Sequence, residues 1–215
     1  GTGYAADLNS TSATKARYCI EYANRLFLAD LYISGVREPL SIIFSKEGDP
    51  TDYTDSTAGR LDLLDTEDYL MGLGKVGSYL VFYKENNVMV YGKRGDATNP
   101  IRIVADRRGV GCVAPYSIVE FMGTNAFIGR DDFYVMNGDQ PEAIGGPIRN
   151  KFFSMVGVTE IKKTFSGHNA NLNELYWTVN TINDGQITFV WNHKTREWYS
   201  YQTDADISCW GRGAI

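Results

Sequence analysis

Short apolar runs bounded by turn-forming residues recur along this chain, and no segment sustains the i, i+3, i+4, i+7 pattern of an amphipathic helix for three turns. Three stretches align with one another almost residue for residue: YCIEYANRLFLAD from Tyr18, YLMGLGKVGSYLVFYKENNVMVYG from Tyr69 and YSIVEFMGTNAFIGRDDFYVMNG from Tyr116. A looser fourth, NELYWTVNTINDGQITFVWNHKTREWYSY, starts at Asn173. Each reads as strand, turn, strand. Taking Leu26, Leu80, Phe127 and Tyr176 as equivalent positions, the copies lie 54, 47 and 49 residues apart, a period that signals propellers or solenoids.

Within the units the turn chemistry is explicit. Asn24-Arg25 marks the first turn, and Tyr79 to Tyr83 and Val88 to Tyr91 flank Glu85-Asn86-Asn87, where Asn tolerates the positive φ of tight hairpins. Asp131-Asp132 supplies the third turn and Asn183-Asp184-Gly185 the fourth, followed by a further strand from Glu197 to Tyr201. Ile101, Ile103 and Ala105 alternate with mixed residues as an outer strand does.

The connecting segments are less regular. Residues 1–15 are small and polar, a loose lead-in, so the fold is expected to begin near Arg17 and to fill residues 16–215. Between Asp49 and Asp68 an acidic stretch reads as an excursion between units, with only Leu61, Leu63 and Leu64 fit for a strand. IRNKFFSMV holds either a short helical turn or a fourth strand. Ile207 to Trp210 reads as the innermost strand of one more copy, so that either the N-terminal segment completes it by ring closure or the chain is a piece of a longer protein.

These patterns predict an all-β chain, a β-propeller of four to five blades, because a four-stranded blade buries both faces only against neighbouring blades. Composition agrees, with 13% aromatic residues and 22 glycines among 215 residues. A net charge of −5 counts against wrapping nucleic acid, and the only basic pairs are Lys93-Arg94, Arg107-Arg108 and Lys162-Lys163. Cys19, Cys112 and Cys209 follow no metal-ligand spacing and read as reduced thiols. With no apolar run near the length of a spanning helix and no basic-then-apolar leader pattern, a soluble protein is expected, without a membrane partner.

Candidate chemistry is thin. Gly72 to Gly77 matches G-x-G-x-x-G in spacing, but an aromatic strand follows where a dinucleotide site needs a helix, so the glycines read as a bend between strands. Arg94-Gly95-Asp96 stands at a loop tip, and Asp49, Asp52 and Asp55 place three carboxylates in a polar loop without a defined calcium-loop pattern. His168 and His193 lie in polar contexts away from any nucleophile elbow. Glu21 and Glu120 hold matching repeat positions, which favours structure over an asymmetric catalytic pair. Trp177, Trp191, Trp198, Tyr199 and Trp210 are candidates for a sugar-stacking face, though alternation with polar residues suits packing between blades. Asn9-Ser10-Thr11 is a glycosylation sequon of the kind used only in secreted eukaryotic chains. No catalytic, cofactor or metal site is predicted.

PLSIIFSKEGDPTDY and GCVAPYSIVEFMGTNAFIGRDDFYVMNGDQPEAIG together resemble the β-propeller proteins of tailed-phage virions. The shared features are the strand running into Gly48-Asp49-Pro50-Thr51-Asp52, the Gly111-Cys112-Val113-Ala114-Pro115 entry with Ser117-Ile118-Val119, and Gly129-Arg130-Asp131-Asp132 before Phe133-Tyr134-Val135. The likeness covers roughly residues 38–150. In short-tailed phages such proteins include the tail nozzle or tubular protein and the factors that plug the tail and stabilise packaged DNA. The resemblance implies a non-enzymatic part of the tail or head-to-tail region, made in the bacterial cytoplasm and carried in the virion. It implies tail, portal or adaptor proteins or further copies of itself as partners, and passing contact with packaged DNA. The alternative expectation is a carbohydrate-binding or glycosidase-type propeller that recognises host glycans.

Overall fold

The computed structural model describes residues 13–65 and 68–211. Its strands form four separate four-stranded antiparallel sheets. The first sheet runs β1 (Ala13–Tyr22), β2 (Arg25–Ile33), β3 (Val36–Phe44) and β4 (Gly59–Asp62). The second runs β5 (Leu70–Val76), β6 (Tyr79–Lys84), β7 (Asn87–Lys93) and β8 (Ile101–Arg108). The third comprises β9 (Val119–Phe121), β10 (Thr124–Ile128), β11 (Phe133–Asn137) and β12 (Gln140–Ala143), and the fourth β13 (Phe165–Asn169), β14 (Glu174–Asn180), β15 (Gln186–Asn192) and β16 (Glu197–Tyr201). Within every sheet consecutive strands are neighbours.

Turn chemistry sets the hairpins. Ala23-Asn24, Ser34-Gly35 and Met122-Gly123 each place two successive residues at positive φ, the backbone of a type I′ turn whose twist matches the strands it joins. Leu26, Leu80, Phe127 and Tyr176 all fall in the second strand of their sheet, as the repeat alignment requires.

The sheets pack face to face in chain order. Period-2 alternation sends neighbouring residues of one central strand into different cores. Leu80 and Phe82 join Phe27, Phe44 and Tyr91 between the first and second sheets. Val81 and Tyr83 join Phe127 and Tyr134 between the second and third. Ala126 and Ile128 join Phe133, Trp177 and Phe189 between the third and fourth. Strands β6 and β10 are therefore buried on both faces, which is why YLVFYK and TNAFI read as continuous apolar runs.

The outward face of each end sheet is covered by a segment without strand structure. On the first sheet, Tyr53 from the acidic loop packs against Leu28, Leu31 and Ile43. On the fourth, Trp210 stacks on Tyr176 with ring centroids 4.7 Å apart and donates its indole N–H to Thr178 at 3.0 Å. Each cap sets one aromatic ring on the sheet and turns polar residues to solvent.

Several expectations need correction. Strand β1 begins at Ala13, inside the stretch read as lead-in. The acidic excursion contains β4 around Leu61, one of the residues the sequence left fit for a strand, which packs on the first core, while Arg60 pairs with Asp62 and Glu38 at 2.8 and 2.6 Å along the edge. Of the two readings of IRNKFFSMV the helical one holds and the fourth strand does not: Ile148 to Met155 lie in helix α1 (Gly146–Met155), whose Phe152 enters the core, and a second short helix, α2 (Val158–Ile161), follows. Ile207 to Trp210 is no strand: the Gln186 side-chain amide bonds to both the N–H and the C=O of Ile207, standing in for a ladder partner.

Gly72 and Gly74 lie within β5, whereas Gly77, at a φ of 55°, does sit in the turn between β5 and β6. A Cβ on Gly72 would sit 2.3 Å from Ile118 Cδ1, and one on Gly74 2.3 Å from Asn125 Oδ1. These glycines let the third sheet approach the second, a packing role that the dinucleotide spacing only mimics.

Candidate interaction surface

The GCVAPYS segment builds a polar hub beneath this surface. In the 3-10 turn Pro115–Ser117, the buried Ser117 hydroxyl donates to the Ala114 carbonyl at 2.7 Å and accepts from the Ile128 N–H at 2.9 Å. The Ser117 carbonyl accepts the Trp177 indole N–H at 2.9 Å, and the Tyr116 carbonyl accepts from Ser166 Oγ at 2.9 Å. The turn is thereby fixed between the third and fourth sheets, and the Tyr116 ring is left 55% exposed.

Around Tyr116 the first sheet contributes cations. Asp30 sits at a β-bulge in β2 with φ of 54°, a conformation Asp tolerates better than most residues. Its fully buried carboxylate accepts from Arg37 Nε at 2.7 Å and Nη2 at 2.6 Å, and Arg17 Nη1 lies 3.8 Å away. One carboxylate thus orders two guanidiniums. Arg17 lies over the rings of Tyr18 and Tyr116 at 5.4 and 6.0 Å, Arg37 over Tyr69 at 5.8 Å, and Lys15 over Tyr32 at 5.9 Å. Tyr69 is 50% exposed. Burial raises the Tyr18 pKa above the usual tyrosine value, and its hydroxyl has no hydrogen-bond partner among the described residues.

Three cations and three tyrosines therefore gather over the buried Asp30 carboxylate and the partly buried Tyr18 in a chain whose net charge is −5. Arg and Tyr bring large contact area, few rotors and directional donors, the properties that concentrate binding energy in protein interfaces. The sequence reading missed this group, because its members come from β1, β2, β3, the entry to β5 and the 3-10 turn. Only the adjacency of Arg17 and Tyr18 is visible along the chain.

The predicted candidates are dispersed. Asp49, Asp52 and Asp55 each accept the N–H and hydroxyl of the Thr two residues on, and those bonds lower their pKa values. Among the described residues no group of three metal-ligating side chains is gathered. Arg94-Gly95-Asp96 lies between β7 and β8, with the Asp96 carboxylate bound by Thr98. Glu21 pairs with Lys75 of the second sheet at 2.9 Å, while Glu120 is exposed on β9.

His168 and His193 come together with ring centroids 5.8 Å apart, both against Phe121, and burial lowers the His193 pKa. Trp177, Trp191 and Trp198 pack in the core between the third and fourth sheets. Tyr199 and Trp210 belong to the opposite, capped face of the fourth. Cys19, Cys112 and Cys209 are free thiols. Arg107 binds Asp139, Arg108 pairs with Asp106 at 2.8 Å and Lys163 with Glu160 at 2.7 Å, which leaves no continuous basic track along those pairs. Asn9 lies outside the described residues. No helix among the described residues is long and apolar enough to cross a membrane. The chain matches no protein-family model and no curated protein.

Proposed function

We propose that the four sheets are successive blades of a β-propeller and that the protein is a structural component of a tailed-phage virion, in the tail or head-to-tail region. It works without turnover, by holding neighbouring tail, portal or adaptor proteins. The observation that carries this reading is the exposed Arg17, Arg37, Tyr69 and Tyr116 face, anchored by the buried Asp30 and the Ser117 hub. Its rigidity limits the entropy lost on docking.

The resemblance over residues 38–150 supports the virion assignment, and the overall negative charge suits a part past which DNA must slide. A tryptophan stacking face, on which the glycan-binding alternative rested, is weakened because Trp177, Trp191 and Trp198 pack between sheets. The test is mass spectrometry on purified particles from the source culture, with a gold-labelled copy of the chain located by electron microscopy. Peptides in the particle and label at the tail are expected. A chain confined to the particle-free fraction overturns the assignment.

A further inference from the structure

Beyond assembly, a cleft of about 280 Å³ between the first and second sheets carries its own chemistry. At its floor lies Arg25, whose side chain is 1% exposed. Its guanidinium donates to three backbone carbonyls, two in the connection between β3 and β4 and one in that between β7 and β8: Ser45 at 2.8 Å, Thr57 at 2.6 Å and Ala97 at 2.9 Å. All three acceptors are neutral. The carboxylate within reach, that of Glu47, is 3.9 Å away and its side chain is 51% exposed, too distant and too hydrated to compensate a buried charge.

A guanidinium has five N–H donors, so the carbonyls do not exhaust it. Lys93 lines the same cleft, as do Glu47 and Asp96, and Pro100 forms part of the apolar wall. The floor thus lacks an anion while the walls offer carboxylates able to accept hydroxyl donors. A cleft of this volume stands at the small end of ligand sites, the size of one sugar ring.

We infer that this cleft binds a small hydroxyl-bearing anion, a carboxylated or phosphorylated monosaccharide, with its anionic group on Arg25 and Lys93 and its hydroxyls on Glu47 and Asp96. Shared chemistry covers both sources of charge, and separate titrations distinguish them. The inference does not depend on the virion assignment, since the ligand would occupy one chain alone.

The experiment is calorimetric titration of the full chain with glucuronate, glucose 6-phosphate, glucose and inorganic phosphate. At least one of the two anionic sugars is expected to bind with a Kd of about 1 mM or tighter, and glucose and phosphate at least about tenfold more weakly. Ala97→Trp, on an exposed loop whose backbone carbonyl still serves Arg25, fills the cleft and abolishes binding. Lys93→Ala weakens it about tenfold. Absence of binding by both anionic sugars, or unchanged affinity in a folded Ala97→Trp, overturns the inference.

Discussion

Arg37 meets the buried carboxylate of Asp30 in a two-point ion pair, with Nε and Nη2 at 2.7 and 2.6 Å from the two oxygens. The pair is asymmetric, since Asp30 is fully buried while the Arg37 side chain is over a third exposed. Removing Arg37 leaves the buried carboxylate without its two hydrogen bonds and with only the Arg17 guanidinium 3.8 Å away, whereas removing the acid leaves a guanidinium that water can solvate. Arg37→Ala is therefore expected to cost about 3 kcal/mol or more, and Asp30→Asn, which keeps the shape and tolerates positive φ, about 1–2 kcal/mol. Urea denaturation of the two variants checks the order, and an equal or reversed order contradicts it.

Gly74 tests the packing of the second and third sheets. Its missing Cβ leaves room for Asn125 Oδ1, which accepts the Tyr83 hydroxyl at 3.0 Å in the buried interface. Gly74→Ala displaces that amide, so overpacking of about 1–3 kcal/mol adds to a broken buried hydrogen bond worth about 1–3 kcal/mol. Thermal and urea unfolding should both show the loss. A neutral Gly74→Ala would mean that the sheets do not meet there.

Cys112 is buried, and burial pushes its pKa up to about 12 from 9.0. The unfolded chain ionises this thiol first, so its contribution to stability is whole below pH 9.0 and disappears as pH rises toward 12. At pH 8, a disulfide reagent should titrate the exposed Cys19 and Cys209 quickly and Cys112 only in denaturant. Three fast thiols in the native protein would contradict the placement.

Lys84 and Asp68 form a buried pair at 3.0 Å that ties the entry of the second sheet to β6. Lys84→Met leaves the carboxylate buried without its cation and is expected to cost about 3–5 kcal/mol. Combining it with Asp68→Leu should recover most of that loss, because two apolar side chains carry no desolvation penalty. Denaturant midpoints of the single and double variants measure the recovery, and a double variant no more stable than the single would refute it.

The sequence made the hairpins legible because their turns need particular residues. Asn24 takes positive φ as its turn requires, whereas Asn86 and Asn87 do not, and Asp184-Gly185 lies between β14 and β15 but closes a five-residue loop, with Asn180 opposite Gln186. The sequence left β4 faint, with Leu61 its one apolar signal and Arg60 and Asp62 along the edge, and left α1 undecided, because Phe152 and Phe153 read equally well as strand. The interaction surface was hidden for a different reason. Asp30 follows an apolar run with nothing to mark a bulge, and Tyr69 and Tyr116 sit in connections where an aromatic ring carries no periodic signal. Spatial convergence from five elements leaves no trace in spacing.

Hydrogen exchange, followed by mass spectrometry on the free chain and on the chain in its purified particle, tests the assembly surface most directly. Slowing is expected at Lys15 to Tyr18, Tyr32 to Arg37, Tyr69 to Met71 and Pro115 to Ser117, with the outer strands β4, β8, β12 and β16 unchanged. Protection confined to those outer strands, with the tyrosine and arginine segments exchanging as in the free chain, would contradict the account.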